Sequence, residues 1–204
     1  MIANALNEIN TENWFLPTPS AFSSEEIAAV QKWVERGGSL FLIADHMPMG
    51  GAAADLAAAF GFGFTNGFAA DTSEPGPAFF DRKDNTLLSC SITNGRNDSE
   101  KIDKVITFTG QAFKIPDEAT SILRFNERYL LLETDTAWVF NSNTKYTPIK
   151  DWSQGANMKY GKGRVVMFGE AAMFTATVLF PTPPLPDSTS TLWRMRPRRA
   201  SSRC

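Results

Sequence analysis

Histidine occurs once in this 204-residue chain, at His46, and cysteine twice, at Cys90 and Cys204. The cysteines lie in unlike surroundings, Ser-Cys-Ser and the extreme C-terminus. They form neither a CxxC pair nor a repeated spacing, so a disulfide framework is not expected. No GxSxG elbow and no GxxxxGK[ST] loop occurs, which removes the local signatures of an α/β-hydrolase nucleophile and of a nucleotide phosphate cradle. No stretch approaches the ~20 apolar residues of a membrane span. The start, Met1-Ile2-Ala3-Asn4, lacks the basic and apolar regions of a signal peptide. The chain as it stands is therefore expected in the cytoplasm with no membrane partner, although a parent with a longer N-terminus could be exported.

What is present is a core-forming composition: 43% hydrophobic and 21% charged residues, enough for one globular domain. The net charge of -2 gives no global reason to expect nucleic-acid binding, but it conceals an asymmetry. Residues 181–204 hold five arginines and one aspartate, with no lysine or glutamate. This Pro- and Arg-rich stretch has no useful periodicity and reads as an irregular tail without binding function, or as the product of a shifted reading frame. The domain is accordingly expected over residues 1–180.

Ser23 followed three residues later by Glu26 has the spacing of a capping box, with Phe22 and Ile27 as a hydrophobic staple, so a helix is expected over 24–36. Its apolar stripe, Ile27, Val30, Trp33 and Val34, should face a sheet. Gly37 and Gly38 then end the helix and lead into an apolar strand over 39–45. A second, alanine-rich helix is expected over roughly 52–60, and residues 71–86 read as a long loop rich in Pro, Gly, Asp and Ser. Short β-like segments follow at 105–108, 122–125, 129–133 and 137–140, with a turn at 126–128 and a last strong strand at 163–169. Residues 170–176 have good helical propensity, whereas residues 1–6 read as the end of a buried strand lacking its preceding βα unit, which predicts an N-terminal truncation.

The chemistry concentrates where the first strong strand ends, in Ala44-Asp45-His46-Met47-Pro48-Met49-Gly50-Gly51. Ligands in open α/β sheets bind beyond the carboxyl ends of such strands. With an ordinary pKa of about 6.5, His46 is the candidate general base or metal ligand; the alternative is a structural histidine bonded to the 48–51 turn. Asp45 either orients His46 or makes an Asx-type turn. Glu170 follows the last strand as Asp45 follows the earlier one, so a sheet could bring both carboxylates to one edge, where with His46 they suit a divalent metal or acid-base work. Glu170 could equally be a helix-start glutamate satisfied by backbone amides. Gly50 and Gly51 offer free helix amides for an anionic group. Ser20 is the least poor nucleophile, although it also reads as a loop serine. Asn4 belongs to the same strand-end region, and Gln154, with Asn157, is a polar contact or turn residue in a neighbouring loop. The sequence requires no cofactor, and a divalent metal is an option only.

Four segments, 2–6, 22–27, Gly37-Gly38 through His46, and Gly161-Lys162-Gly163-Arg164 through Glu170, together resemble a single-domain branch of the class I glutamine-amidotransferase-like superfamily. That resemblance implies an α/β three-layer sandwich, flavodoxin-like, with a mostly parallel central sheet. It also implies a further strand and helix before residue 1, and a terminal helix that 181–204 does not match. The catalytic cysteine of true amidotransferases has no counterpart, since Cys90 lacks the glycines of an elbow. Glutaminase activity is excluded on that ground. Two readings remain: a hydrolase-like enzyme acting on an ester, amide or related bond of a small molecule, using His46, Asp45 and Glu170, or a non-catalytic ligand-binding or interaction domain. Carbohydrate binding ranks last, resting only on five tryptophans that suit a core equally well.

Overall fold

The structure is a computed structural model that describes residues 1–71, 73–74 and 76–175; the tail anticipated over 181–204 lies outside them. Strand β1 (Ile2–Ala3) leads by a long loop into α1 (Ser24–Glu35), which returns to β2 (Ser39–Ile43). Both signals that define α1 are made. Glu26 N–H donates to Ser23 Oγ at 3.2 Å, and Ser23 N–H donates to Glu26 Oε2 at 2.9 Å. At the other end Gly37 adopts φ 123°, and the amides of Gly37 and Gly38 bond back to Val34 and Trp33. This Schellman closure turns the chain straight into β2.

Helix α2 spans Met49–Ala58, three residues ahead of its expected start. The two glycines are inside the helix because only hydrogen fits there: a Cβ on Gly50 would overlap the Thr65 carbonyl, and one on Gly51 would approach Asn66 to 2.6 Å. Val34 of α1 and Ala53, Leu56 and Ala57 of α2 pack on Leu40, Leu42, Val165 and Met167, forming the main core on one face of the central sheet.

The later elements are β3 (Phe68–Asp71), β4 (Ala78–Asp81), α3 (Ser91–Asn94), β5 (Lys104–Thr107), β6 (Thr120–Arg124), β7 (Tyr129–Glu133), β8 (Lys145–Pro148), β9 (Ser153–Tyr160) and β10 (Gly163–Phe168). The central sheet has the order β1-β2-β10-β9-β6. Only β1–β2 and β2–β10 are parallel pairs; β10–β9 and β9–β6 are antiparallel. Two smaller sheets, β3-β7-β8 and β4-β5, are wholly antiparallel.

This corrects the expected fold. The molecule is not a three-layer, mostly parallel, flavodoxin-like or amidotransferase-like sandwich but a mixed, β-rich arrangement with three α-helices among the described residues. Connection length is the reason. Gly161, at φ 56°, and Lys162 close a two-residue hairpin between β9 and β10, and a link that short permits only antiparallel neighbours.

Other elements differ for similarly non-local reasons. The expected loop at 71–86 contains β4, whose Phe80 is buried while Phe79 is exposed, a period-two alternation masked by the surrounding Pro and Gly. Residues 137–140 form no strand. The expected turn at 126–128 is present, and the strands it joins, β6 and β7, lie in different sheets. After β10 the described residues, which end at 175, make a 3-10 turn, Ala172–Phe174, where a helix over 170–176 was expected. Among the described residues, no helix is long and apolar enough to cross a membrane.

Gly163 opens β10 where the strand passes the end of α1, and a Cβ there would overlap the carbonyl oxygens of Val34 and Gly38. Gly163→Ala should cost about 2 kcal/mol or more in urea unfolding, because backbone cannot move aside as a flexible side chain would. Gly63→Ala, whose nearest neighbour would be Lys114 Cβ at 3.5 Å, should change stability by less than about 1 kcal/mol.

Candidate functional site

The carboxyl ends of β1, β2 and β10 meet at one edge, and most of the residues singled out in the sequence lie there. Asn4, in a left-handed conformation at φ 48°, extends the β1–β2 pairing: its amide donates to Ile43 O, and its Oδ1 accepts from Asp45 N–H, both at 2.9 Å. Asp45 Oδ1 accepts from His46 N–H at 2.8 Å, while Oδ2 accepts from Ala171 N–H at 3.3 Å. The Asp45 carboxylate thus joins the ends of β2 and β10.

Glu170 is fully buried, at 0% exposure. Its two oxygens accept from the amides of Ala172 and Met173, each at 2.8 Å, so it caps the turn that follows β10. Burial is the main influence on its proton and pushes its pKa up to about 7, with the nearby Asp45 carboxylate adding to the rise. The amides of Met173, Ala172 and Phe108 pull the other way without overcoming it. Burial also raises the pKa of Asp45, against the opposing influence of His46 and of backbone hydrogen bonds.

His46 points elsewhere. Its Nδ1 lies 2.8 Å from Met47 O, and since a carbonyl only accepts, Nδ1 carries a proton. The ring stacks on Phe68 at 4.7 Å and 18°, and meets Trp138 edge-on at 4.7 Å and Trp14 at 6.1 Å. No hydrogen bond joins this ring to Asp45 or Glu170, because the two adjacent side chains diverge where the strand ends. Among the described residues, no three of His, Cys, Asp and Glu are grouped to hold a metal ion.

The remaining candidates are engaged in the framework. Gly51 N–H donates to Asn66 Oδ1 at 3.2 Å and Gly50 N–H donates to His46 O, so the start of α2 is capped by protein. Ser20 Oγ accepts from Phe22 N–H at 3.2 Å, in the loop before α1, and makes no bond to His46. Gln154 lies in β9 and not in a loop, and is 1% exposed. Its side chain and Glu170 Cβ both crowd the position a Cβ on Gly110 would take, each at 2.8 Å. Its Oε1 finds no hydrogen-bond partner among the described residues, as is true of Thr107 Oγ1.

The residue that organises this edge, Gln111, was not singled out in the sequence. Buried at 0% exposure, it donates from Nε2 to Ala44 O and accepts at Oε1 from Thr65 N–H, both at 2.8 Å. Phe68 and Trp138 were also missed, since rings beside a histidine come together only through tertiary contacts. The one cue was a glutamine between Gly110 and Ala112 with no turn chemistry to explain it.

A cavity of about 750 Å³ lies not at this edge but on the sheet face opposite α1 and α2. Phe41, Val166 and Phe168 form its floor, and Met173 and Phe174 of the turn after Glu170 form one wall. Ile92 and Ile102, together with Phe174, leave large exposed apolar surface around it. Its lining includes two cations, Lys104 and Arg164, and no carboxylate; neither cation makes an ion pair among the described residues.

No protein-family model and no curated protein matches the chain. A solved structure described as "mmIFT52 N-terminal domain" is similar over 78% of this chain, with a TM-score of 0.53 and 13% sequence identity. The chain spans 64% of that structure's length. At this identity the likeness concerns the fold alone. Together with the mixed sheets it overturns the resemblance to the glutamine-amidotransferase-like superfamily.

Because the pKa of buried Glu170 is raised, its neutral form favours folding. That advantage is full below the unfolded value of about 4.5 and disappears as pH rises through about 7. Relative to Glu170→Gln, the wild-type protein should lose up to about 3 kcal/mol of unfolding free energy between pH 4.5 and pH 8. Urea titrations of both proteins across that range measure the difference.

Proposed function

We propose that this chain is a non-catalytic interaction domain that binds, in the groove on its open sheet face, an apolar protein segment carrying flanking carboxylates. The groove itself supports this most directly: a 750 Å³ apolar trough with two cations and no anion in its lining. A contiguous exposed apolar surface rimmed by polar groups is the kind of surface that proteins use to bind one another. Lys104 and Arg164 select an acidic flank over a basic one. The solved domain similar in fold bears a name that specifies no enzyme. At the sheet edge, meanwhile, the polar groups are largely engaged by the protein, and among the described residues no hydroxyl or thiol hydrogen-bonds to the His46 ring.

The second reading, a small-molecule hydrolase, has one observation in its favour: Glu170 has its pKa raised to about 7 beside Asp45, the neutral-pH poise of a general acid or base. Among the described residues no nucleophile accompanies it.

A synthetic amphipathic helix with leucines on one face and glutamates at both flanks should bind the full chain by calorimetry, and the same peptide with lysines in place of the glutamates should not. The double variant Lys104→Glu, Arg164→Glu should weaken the acidic peptide about tenfold or more. Equal binding of both peptides, or of neither, overturns the proposal; decanoate binding in the absence of peptide binding would make the groove a small-ligand site. Turnover of an ester, amide or lactone panel that disappears in His46→Ala would overturn it in favour of the hydrolase.

A further inference from the structure

The buried carboxylate and the groove wall belong to one short piece of chain. Glu170 is inside, and four residues later Phe174 is 49% exposed. The Phe174 ring rests on Phe41 and Phe168 at centroid distances of 5.4 and 5.1 Å, closing one side of the groove together with Met173. Beyond that packing, the polar hold on the rest of the protein comes from two backbone amides, those of Ala171 and Phe108. Ala171 N–H reaches Asp45 Oδ2 at 3.3 Å, while the two bonds made by the Glu170 carboxylate run to its own turn.

We propose that residues 170–174 are a proton-operated wall of the groove, seated while Glu170 is neutral and lifted toward solvent when Glu170 gives up its proton. The inference rests on the groove reading for its consequence in binding, but not for the motion itself.

The surroundings of Glu170 supply the driving force. From the end of β2 it faces the Asp45 carboxylate, with His46 beyond that carboxylate. From β9 it faces the neutral Gln154, and from the segment after β5 the backbone amide of Phe108. No lysine or arginine pairs with it among the described residues. An ionised Glu170 is therefore buried beside a like charge with only backbone amides to balance it.

If lifting exposes the carboxylate to water, its pKa returns to the ordinary value while the seated value stays at about 7. The state that binds the proton more tightly is then lost as pH rises. The seated-to-lifted ratio falls between about pH 4.5 and about pH 7, by a factor of up to about 300 in all, and is level above that. The groove loses the wall made by Met173 and Phe174, and binding weakens as pH rises through that window.

The test uses the full chain labelled at its methionine methyl carbons, with the Met173 signal assigned by its loss in Met173→Leu and followed from pH 5 to pH 9. The Met173 methyl should titrate with a midpoint between about 4.5 and 7 in the wild-type protein and be flat in Glu170→Gln. In Asp45→Asn the midpoint should move lower, because the neighbouring negative charge is gone. A flat wild-type signal, or a titration that survives Glu170→Gln, overturns the proposal. If Glu170→Gln does not fold, an unmoved midpoint in Asp45→Asn overturns it.

Binding of the glutamate-flanked peptide, measured over the same range, should weaken as pH rises from 5 to about 7 and then level off. Peptide binding at constant affinity with a flat methyl signal rejects the moving wall and leaves the groove reading standing. A titrating methyl signal without peptide binding rejects the groove reading and leaves the wall.

Discussion

The carboxamide of Gln111 holds the strand ends in place. It is buried, both its donor and its acceptor are used, and its partners, Ala44 and Thr65, belong to different parts of the chain. Its own backbone N–H donates to Gly169 O at 2.8 Å. One residue therefore ties the exit of β2, the loop before β3 and the exit of β10. Removing it would leave a carbonyl and an amide buried without partners, at about 1–3 kcal/mol each. Asp45 and Glu170 face one another because these exits are fixed, and α2 approaches closely because Gly50 fits beneath Gln111 and Thr65.

The two faces of the central sheet have different fates. Helices α1 and α2 cover one face with a dense core of alanine, leucine and valine. On the other, Phe41 and Val166 are only partly covered, beside the buried Phe168, by the two-stranded β4-β5 sheet, by α3 and by the turn after Glu170. Apolar surface left open on a sheet face is where a binding partner gains most from excluding water. The same turn buries Glu170 and presents Phe174, so the electrostatics of the strand edge and the shape of the groove are properties of a single segment.

How much of this was legible depended on the range of the interactions involved. The bounds of α1 follow from Ser23, Glu26, Gly37 and Gly38, all of which act within a few residues. The apolar cores of β2 and β10 were equally plain. The meeting of Asp45 and Glu170 at one edge was read from their like positions after two strands, and those strands are parallel neighbours. The direction of β9 was hidden in a polar, glycine-containing stretch, Ser153-Gln154-Gly155-Ala156-Asn157, which has a buried strand's environment without its composition. The parallel sandwich followed from the resemblance, and the mixed sheets overturn both.

The sequence by itself determined where α1 begins and ends, which residues form the strongest strands, and which titratable groups stand at their ends, because caps, glycine turns and apolar runs act over a few residues. Only the tertiary structure decided what those groups can do. Asp45 is bonded to an amide 126 residues away; the His46 ring turns away among Phe68, Trp138 and Trp14; and Glu170 is raised to about 7 by burial and by Asp45. Burial and partnership are set by groups distant in the chain, and those two quantities govern a proton's affinity and a hydrogen bond's availability.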